Sequence, residues 1–355
     1  MKTDVWFKRC IVILCATLLL FAFLTAWLDP FFHYHAPRQG FYYTLKNERA
    51  QNDGIVKQFD YDALITGSSI TQNFKAGEMN ELFDCHAVKT CFSGATFKEI
   101  ADLLDTAFAA HKIRYVVCSA TDVSGTFIQD KDYLQESFDY PVYLYNDNPF
   151  DDVNYLLNRD VLAEYVLPML ARKITGAPGG VTDFDTYSAW SGQPYTYGDL
   201  PFYLSESVTG VVKQEALTEE ERETVRENLE QNIIRIARDH PDTLFYYFLP
   251  PFSYVYRADV YGRGIAGKQI EAEAYAIDLM LSCENIRLYS FATDRDITFD
   301  ASNYKDMTHY GAWINSRMLE AMARDDATYR ITRENAAAYI DDMKELYLTP
   351  DHFGR

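Results

Sequence analysis

The sequence predicts a three-layer α/β/α domain on a parallel five-stranded sheet, preceded by one membrane-spanning helix. Three observations carry this expectation. Cys10 to Leu28 runs nineteen residues without a charge, close to the ~20 a helix needs to cross hydrocarbon. From Tyr61 onward, short apolar runs alternate with stretches of helical period, the pattern of a parallel sheet covered on both faces. Between about residues 124 and 214 the alternation stops, and Tyr, Asp, Asn, Gly and Pro dominate. That stretch reads as one long insertion.

The apolar segment comes first. Lys2, Lys8 and Arg9 precede it, and Asp29-Pro30 close it. Basic flanks stay in the cytoplasm, so everything after Asp29 is expected outside the membrane. A cleaved signal peptide would have an apolar core of only ~7–15 residues, so residues 1–28 are expected to remain as a single-pass anchor. Trp27, Phe31, Phe32 and Tyr34 would sit at the outer interface. Residues 29–58 lack a clear period and read as a connector.

The strands and helices follow in order. Ala63–Thr66 is a short buried strand that breaks at Gly67-Ser68-Ser69, and Ile70–Phe83 reads as its helix. Ala87–Cys91 is the second strand, followed by FSGAT and a helix over Phe97–His111. Arg114–Ser119 is the third, and leads into the insertion, where Asp160–Ile174 has helical period. Thr218 with Glu221 forms a capping box. Val225, Leu229, Ile233, Ile236 and Ala237 give that helix one apolar stripe. Leu244–Leu249 and Ile286–Tyr289 are the fourth and fifth strands, with a helix over Gln269–Cys283 between them. Helices over Trp313–Ala323 and Glu334–Leu346 end the chain.

Charge excludes one class of partner. The chain has 33 basic and 52 acidic residues, and loss of residues 1–28 moves the net charge from −19 to −21. Such a surface repels phosphate backbones, so no nucleic-acid partner is expected. It also disfavours tight binding to other anionic polymers. Six cysteines are too few for a disulfide scaffold. Cys85 and Cys91 stand as a disulfide or as two buried thiols, and no spacing suggests zinc.

Ligands of an open parallel sheet bind beyond the carboxyl ends of its strands. The first strand delivers Gly67-Ser68-Ser69 there, and a serine at such a turn has the exposure a nucleophile needs, or else simply caps a helix. Past the last strand, NYKDMTHYG places Asp306 three residues before His309. A carboxylate fixes an imidazole's tautomer, and the imidazole takes a hydroxyl proton. Of the seven histidines, only His309 combines an aspartate at that spacing with that position.

With these motifs in place, the chain resembles the SGNH (GDSL-like) hydrolase and acyltransferase superfamily. The resemblance implies a flavodoxin-like sheet over residues 59–325, interrupted by the insertion at about 124–214, with residues 326–355 as a helical extension. It implies Ser69 as nucleophile, His309 as general base and Asp306 as its orienting acid, with no metal or organic cofactor. Gly94 in FSGAT matches the family's oxyanion glycine. The third block, Gly-x-Asn-Asp in the family, is Ser119-Ala120-Thr121-Asp122 here. Thr121 thus replaces an asparagine, and loss of one oxyanion donor typically costs ~10²–10³ in rate. Ser68, Gly94, Thr121 and Asp122 are the expected oxyanion and substrate-binding residues.

The anchor and the GSS in place of GDS are similar to the membrane-anchored branch. That branch includes proteins working beside membrane-bound O-acyltransferases on cell-envelope polysaccharides, and the teichoic-acid D-alanyl transfer proteins. Two functions follow. One is an anchored serine esterase or O-acyltransferase, with a cell-envelope glycan or teichoic-acid-like acyl acceptor as the partner the resemblance implies, a neutral or amino-bearing glycan being the one the net charge of −19 favours. The other is an inactive scaffold that binds polysaccharide or a membrane acyltransferase. A Ser69 Oγ within hydrogen-bond reach of His309, with Asp306 on the other ring nitrogen, separates them.

Three further signals are set aside. Gly262–Gly267 satisfies GxGxxG without a strand running into it, and reads as a loop between the fourth strand and its helix. Asn146–Asp152 is acidic but lacks calcium-loop spacing. Tyr133, Tyr140, Tyr143 and Tyr145 of the insertion either stack on sugar rings or pack their own loop.

Overall fold

A computed structural model describes residues 2–120, 125–134, 140–146, 148–190, 192 and 211–349. The chain divides into two compact units, one of residues 1–60 with 136–187, the other of residues 61–135 with 188–355.

The second unit holds the sheet. Its strands are β1 (Ala63–Gly67), β2 (Ala87–Cys91), β3 (Tyr115–Ser119), β4 (Leu244–Leu249), β5 (Ile286–Ser290) and β6 (Arg330–Ile331). Their spatial order is β2-β1-β3-β4-β5-β6. The first five are mutually parallel, the 2-1-3-4-5 order of the flavodoxin-like class. β6 is antiparallel to β5 and corrects the expected count: part of the C-terminal extension completes the sheet. Central strands must be apolar on both faces, and Ala63, Leu64 and Ile65 of β1 are fully buried.

The helices follow their caps. Thr96 Oγ1 accepts from Glu99 N at the start of Phe97–Ala110, and Thr218 and Glu221 form the expected capping box. The helical run 219–239 buries Val225, Leu229, Ile233, Ile236 and Ala237. It also buries Asn228 and Asn232, whose amides donate to the carbonyls of Thr126 (3.1 Å) and Lys131 (2.8 Å). Those bonds fix the segment 126–131 that follows β3.

The helix expected over Ile70–Phe83 is interrupted. A single 3-10 turn, Ser69–Thr71, is followed by an α-helix only at Ala76–Phe83. The reason lies on β2. Fully buried Lys89 donates its ammonium to the carbonyls of Gln72 and Phe74, acceptors an unbroken helix would use itself. The GxGxxG stretch is likewise not a loop after β4. Gly262 ends the helix Tyr254–Gly262, and Ala266 starts the helix Ala266–Met280.

The first unit revises the expected connector. It opens with the helix Lys2–Leu28, mostly exposed along its length. Residues 29–58 are then not a plain linker, since they hold the helix Glu48–Gln58, capped by Asn47. Tyr42–Tyr43 pairs in parallel with Gly180–Val181 of the insertion. Asp29, buried and left-handed at φ 47°, closes the chain reversal. Its carboxylate accepts from the N–H groups of His33, Tyr34 and His35 and from the Tyr155 hydroxyl (2.7–3.0 Å). Burial still pushes this carboxyl above its usual range, against those bonds.

Candidate active site

β1 ends where the strand order reverses, the position at which doubly wound sheets bind ligands. Gly67 makes the exit, with φ at +133°. A Cβ there would lie 2.7 Å from Ser119 Oγ and 2.8 Å from Thr71 Cγ2, so only glycine lets the chain turn so tightly against β3. Ser68 is buried, and its backbone serves the turn, with the N–H toward Ser119 Oγ at 3.4 Å and the carbonyl accepting from Thr71 Oγ1. Ser69 comes next.

A loop beyond β5 brings the partner. Tyr304 and Tyr310, both buried, bridge its base. Lys305 N–H donates to the His309 carbonyl at 2.9 Å. The segment following β4 holds it from below: Tyr304 OH donates to Pro251 O (2.6 Å), and Ser253 Oγ to Met307 O (2.7 Å). The Pro250–Ser253 stretch thus buttresses the histidine loop.

The two segments meet in one relay. Ser69 Oγ lies 2.8 Å from His309 Nε2. His309 Nδ1 lies 2.8 Å from Asp306 Oδ2 and 3.0 Å from Oδ1. Asp306 Oδ1 also accepts from the N–H groups of Thr308 and His309 (2.9 and 2.8 Å). Burial works to raise the Asp306 carboxyl. The His309 ring and the two backbone N–H groups outweigh it and bring it down to about 2. An ionised Asp306 holds the proton on Nδ1, and leaves Nε2 as an acceptor for the serine hydroxyl. The His309 side chain is 25% exposed.

Gly94 stands in the turn after β2, at φ +64°, closed by Ala95 N–H on Phe92 O. Phe92 N–H donates to Gly67 O, and Gln72 Nε2 to Ser93 Oγ (2.8 Å), tying this turn to the one that carries Ser69. Among the described residues, no backbone carbonyl accepts from the N–H of Ser69 or Gly94. Thr121 and Asp122 lie outside the described residues.

Trp190 is the residue that sequence reasoning missed. Its indole N–H donates to the Ser69 carbonyl (3.0 Å), and its backbone N–H to Asn73 Oδ1 (3.0 Å). Its ring meets His309 edge-on at 5.3 Å, and Lys305 Nζ lies 4.6 Å from its centroid. A lone tryptophan in the Ser/Gly-rich SAWSG context was the only signal in the sequence. Asn315, also unforeseen, donates from Nδ2 to Ile70 O (3.0 Å). Among the described residues, His, Cys, Asp and Glu form no group of three that could hold a metal. All six cysteines are free, so Cys85 and Cys91 are two thiols.

No family model matches the chain, and no curated protein does. Six chains of solved structure match. One, from Streptococcus pneumonia and provisionally described as a platelet activating factor, has 11% identity and a TM-score of 0.37, covering 79% of this chain and 91% of that one. A likeness at that depth says nothing of chemistry, which rests on this chain's own geometry.

Proposed function

We propose that this chain is a membrane-anchored, extracytoplasmic serine acyl-transfer enzyme of the SGNH type, acting on acyl esters, acetyl first among them, of cell-envelope glycans. One observation carries the proposal: Ser69 Oγ, His309 and Asp306 are in hydrogen-bond series. In this reading Ser69 Oγ attacks the ester carbonyl while His309 Nε2 takes its proton. The Ser69 and Gly94 N–H groups face the developing oxyanion. Collapse breaks the ester C–O bond, and the leaving alcohol takes the proton from Nε2. The acyl group on Ser69 is then claimed by a glycan hydroxyl (transfer) or by water (hydrolysis), with His309 again the base. Asp306 stabilises the imidazolium in both halves.

The anchor reading has support of its own. The helix end is built into the first unit: Tyr43 OH donates to Leu28 O (2.7 Å), and Thr25 and Leu28 are fully buried. Cleavage before Asp29 would remove that acceptor. An anchored enzyme of this kind would draw acyl groups from a membrane-bound O-acyltransferase.

Quenched intact-mass analysis with an acetyl ester tests the proposal. The wild type should gain one acetyl group on the peptide containing Ser69, and Ser69→Ala should gain none. Turnover of the ester without any such adduct in rapid-quench samples would remove the covalent mechanism.

A further inference from the structure

We infer that the first unit carries a binding site for an uncharged glycan, built from its tyrosines and two helix caps. A cavity of about 370 Å³ opens there, within the range of small-ligand sites. Phe31, Tyr140, Tyr143 and Tyr165 supply its rings, and Asn47 and Asn158 its amides. Aromatic faces offer the apolar side of a sugar a surface, and amides answer its hydroxyls.

The polar groups select the ligand class. Asn47 Oδ1 caps one helix through Ala50 N–H, and Asn158 Oδ1 caps another through Asp160 and Val161 N–H. Each cap uses only the amide oxygen. Among the described residues, neither Nδ2 group has an acceptor, which leaves two amide donors on residues that line the cavity. Two carboxylates also line it, and both are answered by the chain itself. Lys46 Nζ lies 2.6 Å from Glu164 Oε2 and 4.5 Å from the centroid of the Tyr165 ring. Arg159 Nε lies 3.1 Å from Asp160 Oδ1. A cationic ligand would have to displace Lys46 from both its carboxylate and its ring. An anionic one would meet Glu164 and Asp160. A neutral, hydroxyl-rich ligand meets neither cost.

The cavity wall also fixes where the ligand is held. Phe31 lies three residues past Leu28, the last residue of the apolar helix, at most about 11 Å along the chain. Its ring stacks on Tyr155 (5.1 Å, 18°) and meets Tyr165 edge-on (5.0 Å, 87°). If the helix spans the membrane, the bound sugars lie just above its surface. The triad residues belong to the second unit, so this site would grip the glycan rather than react with it.

The test is calorimetric titration of the full chain in nanodiscs, on the Ser69→Ala background so that no probe is consumed. Cellotetraose and chitotetraose are the neutral probes, with chitosan tetramer, oligogalacturonide and phosphocholine beside them. At least one neutral oligosaccharide should bind, and better than the three charged probes. Tyr143→Ala should weaken it at least about tenfold. Asn158→Asp, which keeps the cap acceptor and removes the amide donor, should weaken it several-fold at unchanged near-UV dichroism, and Tyr143→Phe should retain it. Tighter binding of chitosan tetramer, phosphocholine or oligogalacturonide would overturn the inference. So would silence of both neutral probes, or neutral binding that survives both Tyr143→Ala and Asn158→Asp.

Discussion

Replacing Asp306 with asparagine separates catalysis from stability. The asparagine oxygen can still accept from the Thr308 and His309 N–H groups that bind Asp306 Oδ1. The amide then faces His309 Nδ1 at the 2.8 Å now held by Oδ2. Two N–H donors cannot share that distance, so the imidazole moves its proton to Nε2 and presents a donor to Ser69 Oγ. The base is lost in place. A wrong tautomer of this kind costs about 10³–10⁴ in rate, roughly 4–5.5 kcal/mol.

The stability cost is much smaller. The folded state lowers the Asp306 carboxyl from 3.8 to about 2, at most about 2.5 kcal/mol of stabilisation. The side chain is 44% exposed, and solvent screening reduces this to about 1 kcal/mol. A depressed carboxyl contributes fully above its unfolded value of 3.8, and loses that contribution as pH falls toward about 2. At neutral pH, Asp306→Asn should therefore hydrolyse p-nitrophenyl acetate at least 10³-fold more slowly, with a denaturation midpoint only slightly reduced. Retention of a tenth of wild-type kcat/KM would refute the tautomer reasoning.

Further predictions follow from the supports of the site. Trp190→Phe keeps the ring but removes the donor to the Ser69 carbonyl; it should cost about 1 kcal/mol of stability and slow turnover several-fold, read by denaturation and steady-state kinetics. Lys89→Met strands the carbonyls of Gln72 and Phe74, and should cost about 1–3 kcal/mol in urea unfolding. Gly67→Ala meets Ser119 Oγ and a φ of +133°; about 2–4 kcal/mol of destabilisation and loss of Ser69 reactivity should appear together. Carbonate-washed membranes should retain a chain whose mass includes residues preceding Asp29.

The sheet was legible because parallel central strands are buried on both faces. Ala63–Ile65 and Leu244–Leu249 therefore appear as unbroken apolar runs. The contact between Asp306 and His309 was legible because a carboxylate three residues before an imidazole is local. What failed was non-local. The helix after Ser69 breaks because of an ammonium on β2, seventeen residues beyond Gln72. Asp29 is ordered partly by Tyr155, 126 residues away, so residues 29–58 show no period of their own yet are not a simple linker. Trp190 reaches Ser69 across 121 residues, a contact that no spacing rule encodes. β6 has only two residues, too few to carry a pattern.

Labelling with a fluorophosphonate probe tests the central claim most directly, because only a serine with a working base reacts rapidly. Wild-type chain in nanodiscs should label once, on the peptide bearing Ser69, while Ser69→Ala should stay unlabelled and His309→Ala should label far more slowly. An unlabelled wild type, or equal labelling of Ser69→Ala, would contradict the assignment of Ser69, His309 and Asp306 as an acyl-transfer triad.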